Sequence, residues 1–305
     1  MSSAKIGTTT IEYEVIGEGQ PLMLVMGLSC QLIHWPDEFV QLLVDRGFRV
    51  IRFDNRDIGL STKFGGPPPT IARTIGSLFS KRLARSSYKL ADMANDAAGL
   101  LDHLGIDKAH VVGVSMGGMI AQSIAIGHPN KVASLTSIMS NTGDRKNGRI
   151  SIGLMKKMPK YLKSTPETRF SNAIAVDRLI SGAVFDESAT GDIIRRAIAR
   201  DADELGTARQ TAAISASPDR TAGLNKVTAP TLVIHGLMDP LVLPSGGMAT
   251  ARAVPGSRLL MFPDMGHDLP VSRWPEIVDA INANAARAPI NQPAINQPAV
   301  GASAN

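Results

Sequence analysis

The stretch Ala109–Ile120, AHVVGVSMGGMI, constrains the fold of this chain more than any other. It begins as a valine-rich run, which is typical of a buried strand, and it continues beyond Gly118 as an apolar run that suits a buried helix. Between them lies GVSMG, the G-x-S-x-G pattern of a nucleophile elbow, a sharp turn that exposes a serine hydroxyl above a sheet. Glycines two residues before and after Ser115 remove side chains that would crowd this turn. We therefore predict that Ser115 is a nucleophile.

The helix predicted to follow Ser115 places backbone N–H groups and a partial positive charge at the same point. The N–H of Met116 is therefore a candidate donor to an oxyanion. A second donor is expected from the loop after the apolar strand that ends at Met26, where the N–H of Leu28 is the best placed. Removing a donor of this kind typically costs about 100-fold or more in rate.

A serine nucleophile needs a base that accepts its proton and an acid that holds the base. After an elbow of this kind the expected chain order is serine, acid, histidine. Asp239 follows the predicted strand 230–235 in HGLMDP, and His267 follows the predicted strand Arg258–Phe262 in FPDMGHDLP. Both positions lie beyond the carboxyl ends of strands, where sites on open α/β sheets form. We predict that Ser115, Asp239 and His267 are the catalytic residues.

Other titratable residues are weaker candidates for this site. Asp264 and Asp268 flank His267, but their adjacency in sequence makes the required geometry awkward. His235 is predicted to pack beneath the acid loop, and His110 would lie at the opposite end of its strand. His34 has two interpretations, since it can line the pocket or lie at the surface.

Strand and helix patterns alternate along residues 1–139 and again along 228–285, which predicts a parallel sheet covered by helices on both faces. Between them, at 140–227, the strand signal disappears, and this segment is predicted to be a helical cap. Residues 286–305 contain the sequence INQPA twice and are expected to be disordered. The cap helices are predicted at 152–162, 170–180, 193–202 and 208–214.

Composition and motifs exclude several classes of function. The formal charge of +5 is scattered and aromatic residues make up 4% of the chain, so we expect no nucleic-acid partner. Metal-ligand spacings, a Walker motif and a dinucleotide glycine pattern are all missing, so we expect no metal or cofactor. The single cysteine, Cys30, excludes an internal disulfide, and no apolar run suits a signal peptide or a membrane span. We therefore expect a cytoplasmic protein.

The elbow, the late aspartate and the final Gly-His resemble the α/β-hydrolase superfamily over residues 8–285. The segments VMGL (25–28), HWPDE (34–38) and RFDNRDIGLS (52–61) are similar to a bacterial serine esterase and lipase group that includes aclacinomycin methylesterase-like proteins. The resemblance implies a mostly parallel eight-stranded sheet with helices on both faces and a helical cap. It also implies that Asp54 and Arg56 organise a neighbouring loop. Met26 replaces the histidine that most of the superfamily has before the oxyanion glycine, which changes the polarity of the pocket.

The resulting hypothesis is hydrolysis of carboxylic esters of small or acyl-chain substrates through an acyl-enzyme, without a cofactor. A thioesterase, a C–C bond hydrolase or a perhydrolase would use the same side chains. A ligand receptor built on a hydrolase fold, with vestigial turnover, is an alternative of a different class. A serine at the elbow, in place of aspartate, argues against haloalkane dehalogenases and epoxide hydrolases. The identity of the ester and the oligomeric state stay open.

One stretch of the predicted cap raises the question of a membrane contact. Leu154, Met155, Met158 and Leu162 can share one helical face, while several lysines lie elsewhere on the same helix. Such a stretch can bind an anionic membrane surface, or it can be a cap helix that covers the pocket with its apolar side. The second interpretation is favoured, because amphipathic helices usually cover a protein core with their apolar side, and Pro159 also interrupts the helix.

Overall fold

The computed structural model describes residues 1–65, 86–161, 165–201, 203, 205–288 and 290. Within these residues eight strands form one sheet, in the order β1-β2-β4-β3-β5-β6-β7-β8. The two pairings of β2, with β1 and with β4, are antiparallel, and the other pairings are parallel. This is the mostly parallel, eight-stranded sheet that was predicted. The strands are β1 (Ser2–Ile6), β2 (Thr9–Ile16), β3 (Gln20–Val25), β4 (Phe48–Phe53), β5 (Ala109–Val114), β6 (Val132–Ile138), β7 (Thr231–Gly236) and β8 (Arg258–Phe262).

Helices cover both faces of the sheet, and five of those in the described residues lie between β6 and β7 in the chain. They follow one another as α1 (Asp37–Val44), α2 (Leu90–His103), α3 (Met116–Gly127), α4 (Ile152–Lys157), α5 (Arg169–Ile180), α6 (Glu187–Arg200), α7 (Leu205–Ala216), α8 (Thr221–Leu224), α9 (Ser245–Ala253) and α10 (Trp274–Ala285). We refer to the segment from α4 to α8 as the cap. No helix of the described residues has both the length and the hydropathy needed to cross a bilayer.

The central strand β5 shows why the sheet is buried on both sides. All six of its residues are buried. Val111 packs with α2 and α3 in one apolar cluster, whereas Val112 and Val114 pack with α1 and α10 in a second cluster on the opposite face. Successive side chains of a strand point to opposite faces, so a strand between two helical layers needs a continuous apolar sequence.

Two predicted cap helices differ from the structure. The helix predicted at 152–162 ends at Lys157 and continues as a 3-10 turn, Met158–Tyr161, because Pro159 cannot donate the backbone hydrogen bond that an α-helix requires. The helix predicted at 193–202 begins at Glu187, where the side chain of Asp186 accepts a hydrogen bond from the N–H of Ala189.

One strand was missed by the sequence analysis, and two predicted segments lie largely outside the described residues. Strand β1 was not predicted; it is a short edge strand that pairs only with β2. The stretch 62–87 contains glycine, proline and arginine, and its sequence predicts a long surface excursion; it lies largely outside the described residues, since 66–85 are not among them. The same holds for the disordered tail predicted at 286–305, of which only 286–288 and 290 are described.

Candidate active site

The turn at Ser115 joins β5 directly to α3. Ser115 has φ 56° and ψ −119°, a conformation that residues with a β-carbon rarely adopt. A β-carbon on Gly113 would lie 2.1 Å from the carbonyl oxygen of Gly117, and one on Gly117 would lie 2.0 Å from that of Val25. A side chain at either glycine would clash with these backbone oxygens, so both positions require glycine. The close approach of Gly117 to Val25 also shows that the helix packs against the end of β3.

Three side chains form a continuous chain of hydrogen bonds above this turn. Nε2 of His267 lies 2.9 Å from Oγ of Ser115, and Nδ1 of His267 lies 2.7 Å from Oδ2 of Asp239. Because a carboxylate can only accept, Nδ1–H donates to Asp239 and leaves Nε2 free to accept the serine proton. The structure thus brings together the three residues that the sequence singled out, although 152 positions separate Ser115 from His267.

Asp239 is held in its ionised form. Its Oδ1 accepts hydrogen bonds from the N–H groups of Leu241 and Val242, at 2.9 and 2.8 Å. Burial opposes ionisation, but hydrogen bonds from His235 and His267, the charge of His267 and the bond from Val242 outweigh it and lower the pKa of Asp239 to about 2. A carboxyl group with this pKa is ionised near neutral pH and can therefore accept the hydrogen bond from the imidazole.

The two aspartates that flank His267 have other partners. Asp264 forms an ion pair with Arg273 at 3.0 Å. Asp268 accepts from the N–H groups of Gly266, at 2.8 Å, and Gly182, at 3.2 Å. Neither carboxylate forms a hydrogen bond with the imidazole in the part of the chain that the structure describes.

The remaining histidines lie in structural positions. His235 is fully buried, and its Nε2 donates to the carbonyl of Val242 at 2.7 Å, so it packs beneath the acid loop as predicted. His110 bonds Ser134 and lies near the amino end of β5, away from Ser115. His34 accepts a hydrogen bond from the N–H of Gln31, and burial lowers its pKa to about 4.

The two candidate oxyanion donors lie next to Ser115. Gly27 packs against the serine so closely that an added β-carbon would lie 3.3 Å from Cβ of Ser115. Leu28 directly follows this glycine, and Met116 is the first residue of α3, where backbone N–H groups have no acceptor within the helix. Among the described residues, neither N–H has a hydrogen-bond partner. Both N–H groups therefore stay candidate donors to a substrate oxygen.

The cap packs directly on the loop that carries the histidine. The N–H of His267 donates to the carbonyl of Ile180 at the end of α5, at 2.7 Å. A β-carbon on Gly266 would lie 2.4 Å from the nitrogen of Gly182, and one on Gly182 would lie 2.2 Å from the carbonyl oxygen of Asp264. Two glycines thus allow the cap and the histidine loop to touch through their backbones.

Asp177, one turn before the end of α5, was missed by sequence reasoning. Its side chain is partly buried, and no described residue forms a hydrogen bond or an ion pair with its carboxylate. Burial raises the pKa of Asp177 to about 6, and the charge of His267 opposes this shift. Nothing in the local sequence AVDRLI distinguishes this aspartate from one on the solvent face of a helix.

Cys30 lies in the loop that follows the oxyanion glycine. Burial raises the pKa of this thiol to about 12, and the charge of Asp177 adds to the shift. The thiolate is the reactive form of cysteine, so this shift disfavours reaction of Cys30 near neutral pH. The side chain packs against the apolar cluster that contains α1 and α10.

The cap also carries a groove of about 390 Å³ that is separate from the candidate site. None of Ser115, Asp239 and His267 lines it. It lies against α5 and the 3-10 turn Met158–Tyr161, and its walls are Tyr161, Phe170, Ser171, Ile174, Ala175, Arg178, Leu179 and Glu187. Within the described residues, no cluster of three or more histidine, cysteine or acidic side chains is arranged to hold a metal ion.

The described apolar side chains of the amphipathic stretch differ in burial. Leu154 is buried, whereas Met155 is 55% exposed. Leu162 lies outside the described residues. Contact of this stretch with a membrane surface stays a hypothesis.

Comparison with known proteins shows the family of this chain. A family model described as alpha/beta hydrolase fold matches residues 21–272. Rhodomycin D methylesterase DnrP of Streptomyces peucetius is 29% identical over 295 residues, which cover 88% of this chain and 92% of that protein.

Solved structures share the fold. A thermophilic esterase from Thermogutta terrifontis has a TM-score of 0.68 at 24% identity, and the match covers 94% of this chain and 99% of that one. The meta-cleavage product hydrolase CumD of Pseudomonas fluorescens IP01 has a TM-score of 0.73 at 18% identity, covering 95% and 98%. This protein belongs to the alpha/beta hydrolase fold family.

Proposed function

We propose that this protein is a carboxylic ester hydrolase that acts on small-molecule esters, with Ser115 as nucleophile, His267 as general base and Asp239 as the acid that orients it. The observation that carries the proposal is the hydrogen-bond chain from Asp239 through His267 to Ser115, at 2.7 and 2.9 Å. The similarity to rhodomycin D methylesterases supports the same chemistry.

In the first half of the reaction Oγ of Ser115 attacks the carbonyl carbon of the ester while Nε2 of His267 accepts the hydroxyl proton. The carbonyl oxygen becomes negatively charged, and the N–H groups of Leu28 and Met116 donate to it. Asp239 stabilises the imidazolium that forms. The tetrahedral intermediate then collapses, and the leaving alcohol takes the proton from Nε2.

In the second half a water molecule attacks the acyl-enzyme. His267 accepts one proton of this water, the same two N–H groups hold the second oxyanion, and the carboxylic acid leaves as Oγ of Ser115 recovers its proton. Every group used in these steps is a residue of this chain. The methylesterase relatives favour methyl esters, with methanol as the leaving alcohol, as the first substrates to examine.

The test is turnover of p-nitrophenyl esters from acetate to palmitate, together with a panel of methyl esters. Ser115→Ala is expected to abolish turnover. Ser123→Ala is the matched control, because this serine lies on the same helix and, among the described residues, its Oγ donates to the carbonyl of Met119 in its own helix. Retained activity in Ser115→Ala would refute the nucleophile, and a wild-type protein that stops after one turnover would favour a receptor. Thioesters in the same assay separate esterase from thioesterase activity.

A further inference from the structure

The loop that carries Leu28 is held by the cap. We call residues 27–34 the oxyanion loop. Ser29, directly after Leu28, has φ 61°, a left-handed conformation that a serine rarely adopts. Its N–H donates to Oε1 of Gln210 on α7, at 3.1 Å, although the two residues are 181 positions apart.

The side chain of Gln210 lies in the protein interior beside Ser29. It is fully buried, and its Nε2 donates to the carbonyl of Arg56 at 2.9 Å. Both ends of the amide are thus engaged, one on the oxyanion loop and the other on the loop after β4. An amide fixed at both ends has a defined orientation, and its oxygen can only face the N–H of Ser29.

A second cap helix, α6, holds the far end of the same loop. Nε2 of Gln31 donates to the carbonyl of Ala197 at 2.7 Å. Arg200 donates to Oε1 of Gln31 at 2.8 Å and to Oδ2 of Asp54 at 2.6 Å. Asp54 in turn accepts from the N–H of Leu32 at 2.7 Å, as expected for a residue that organises a loop. The oxyanion loop is therefore attached to the cap at Ser29 and again at Gln31, two anchors that both follow Leu28 in the chain.

We propose that Gln210 is a positioning residue for ester hydrolysis: by holding the N–H of Ser29, its side chain keeps the strained turn in place and so aims the N–H of Leu28 at the substrate oxygen. The proposal rests on the function proposed above. It makes the cap a part of transition-state stabilisation, in addition to any role in covering the substrate. A left-handed serine relaxes when its anchor is removed, and the peptide that carries the N–H of Leu28 is only one residue away.

The proposal predicts a specific kinetic signature. An oxyanion donor acts on charge that is present in the transition state and absent from the bound ester, so misplacing it lowers kcat and leaves KM nearly unchanged. A cap residue that only shaped the substrate pocket would change KM.

The experiment compares two substitutions at one position. Gln210→Leu removes both hydrogen bonds at similar volume, and we expect kcat to fall by about 10- to 100-fold, with KM within about twofold of wild type. Gln210→Glu keeps an oxygen that accepts from Ser29, and burial favours the protonated carboxyl, whose hydroxyl can donate to the carbonyl of Arg56 as the amide does. This variant is therefore expected to recover most of kcat. If Gln210→Leu fails to fold, Gln210→Asn, which is one methylene too short to reach Ser29, carries the same expectation.

A boronic acid that forms a tetrahedral adduct on Ser115 provides a second readout, because its adduct needs the oxyanion donors. Its affinity is expected to fall with kcat/KM in Gln210→Leu. Gln122→Leu is the matched control: Gln122 is also fully buried, and it pairs with Ser137 and Arg220 away from the oxyanion loop. The Gln122→Leu variant is expected to be less stable than wild type but to bind the boronic acid with unchanged affinity.

The outcomes separate the two proposals. Unchanged kcat and boronate affinity in folded Gln210→Leu, a change in KM alone, or equal losses in the Leu and Glu variants would overturn the role of Gln210 and leave the esterase proposal intact. A wild-type protein without turnover would overturn the esterase proposal itself.

Discussion

Replacing Asp177 by asparagine is expected to stabilise this protein at neutral pH. The pKa of Asp177 is raised from 3.8 to about 6, chiefly by burial. A difference of about two pKa units corresponds to about 3 kcal/mol of unfavourable free energy once the group is ionised. Because the side chain is partly exposed, we expect Asp177→Asn to raise the free energy of unfolding by about 2 kcal/mol at pH 7.

The sign of the pH dependence follows from the direction of the shift. The folded protein binds more protons at this site than the unfolded chain does between pH 3.8 and about 6. Wild-type stability therefore falls as the pH rises through this window, and the variant, which has no proton to lose, does not share the fall. The advantage of Asp177→Asn should be near zero below pH 4, grow between pH 4 and 6, and stay constant above.

The measurement is guanidinium unfolding followed by tryptophan fluorescence at several pH values from 4 to 8. Asp107→Asn is the control, because Asp107 is an exposed aspartate whose replacement is expected to change stability by less than about 0.5 kcal/mol. The reasoning would be refuted if the unfolding free energies of Asp177→Asn and wild type differed equally at pH 4 and pH 7.5. It would also be refuted if Asp177→Asn were less stable than wild type at pH 7.5. A stabilised variant with lower activity would indicate that the carboxylate of Asp177 contributes to substrate binding or turnover at the expense of stability.

Three further predictions concern the elbow, the acid and the core. Asp239→Asn is expected to lower kcat about 10⁴-fold without unfolding the protein, because the amide favours the wrong imidazole tautomer; circular dichroism and steady-state kinetics check both parts. Ser115→Gly is expected to raise the unfolding free energy by about 1 kcal/mol while abolishing activity, since glycine adopts φ 56° without strain; a destabilised variant would contradict this. Arg56→Met leaves the carboxylate of Asp96 buried without its 2.6 Å partner, and urea unfolding should show a loss of about 3–5 kcal/mol, whereas additional replacement of Asp96 by Leu should recover much of it.

The core of the fold was predictable because its signals are local. A buried parallel strand needs a continuous apolar sequence, so β5 was predicted from its valine-rich run. The edge strand β8, in which Phe262 alone is buried, was predicted with its observed bounds. The turn at Ser115 needs glycines at fixed offsets, and the structure shows the contacts that require them. Asp239 and His267 were singled out because each lies in the loop after a strand whose carboxyl end faces Ser115.

The residues that sequence reasoning missed act through contacts between distant segments. Gln210 belongs to a helix of mixed composition, TARQTAAISA, and its role appears only when the cap is folded onto a loop 181 positions earlier. Asp177 is recognisable only by its burial and by the lack of a partner, neither of which a periodic pattern reports. Helix α6 was predicted too short because its first six residues, ESATGD, contain no large apolar side chain. Its start depends on the hydrogen bond that the side chain of Asp186 accepts from the N–H of Ala189.

The backbone contact between Gly182 and Gly266 limits how this enzyme can be recombined with its relatives. A chimera that keeps residues 1–139 and 228–285 and takes its cap from another family member would place a foreign residue opposite Gly266. Any side chain there would meet backbone atoms at about 2.2 Å and push away the loop that holds His267. Cap libraries for altered substrate preference should therefore keep both glycines, or vary the two positions together.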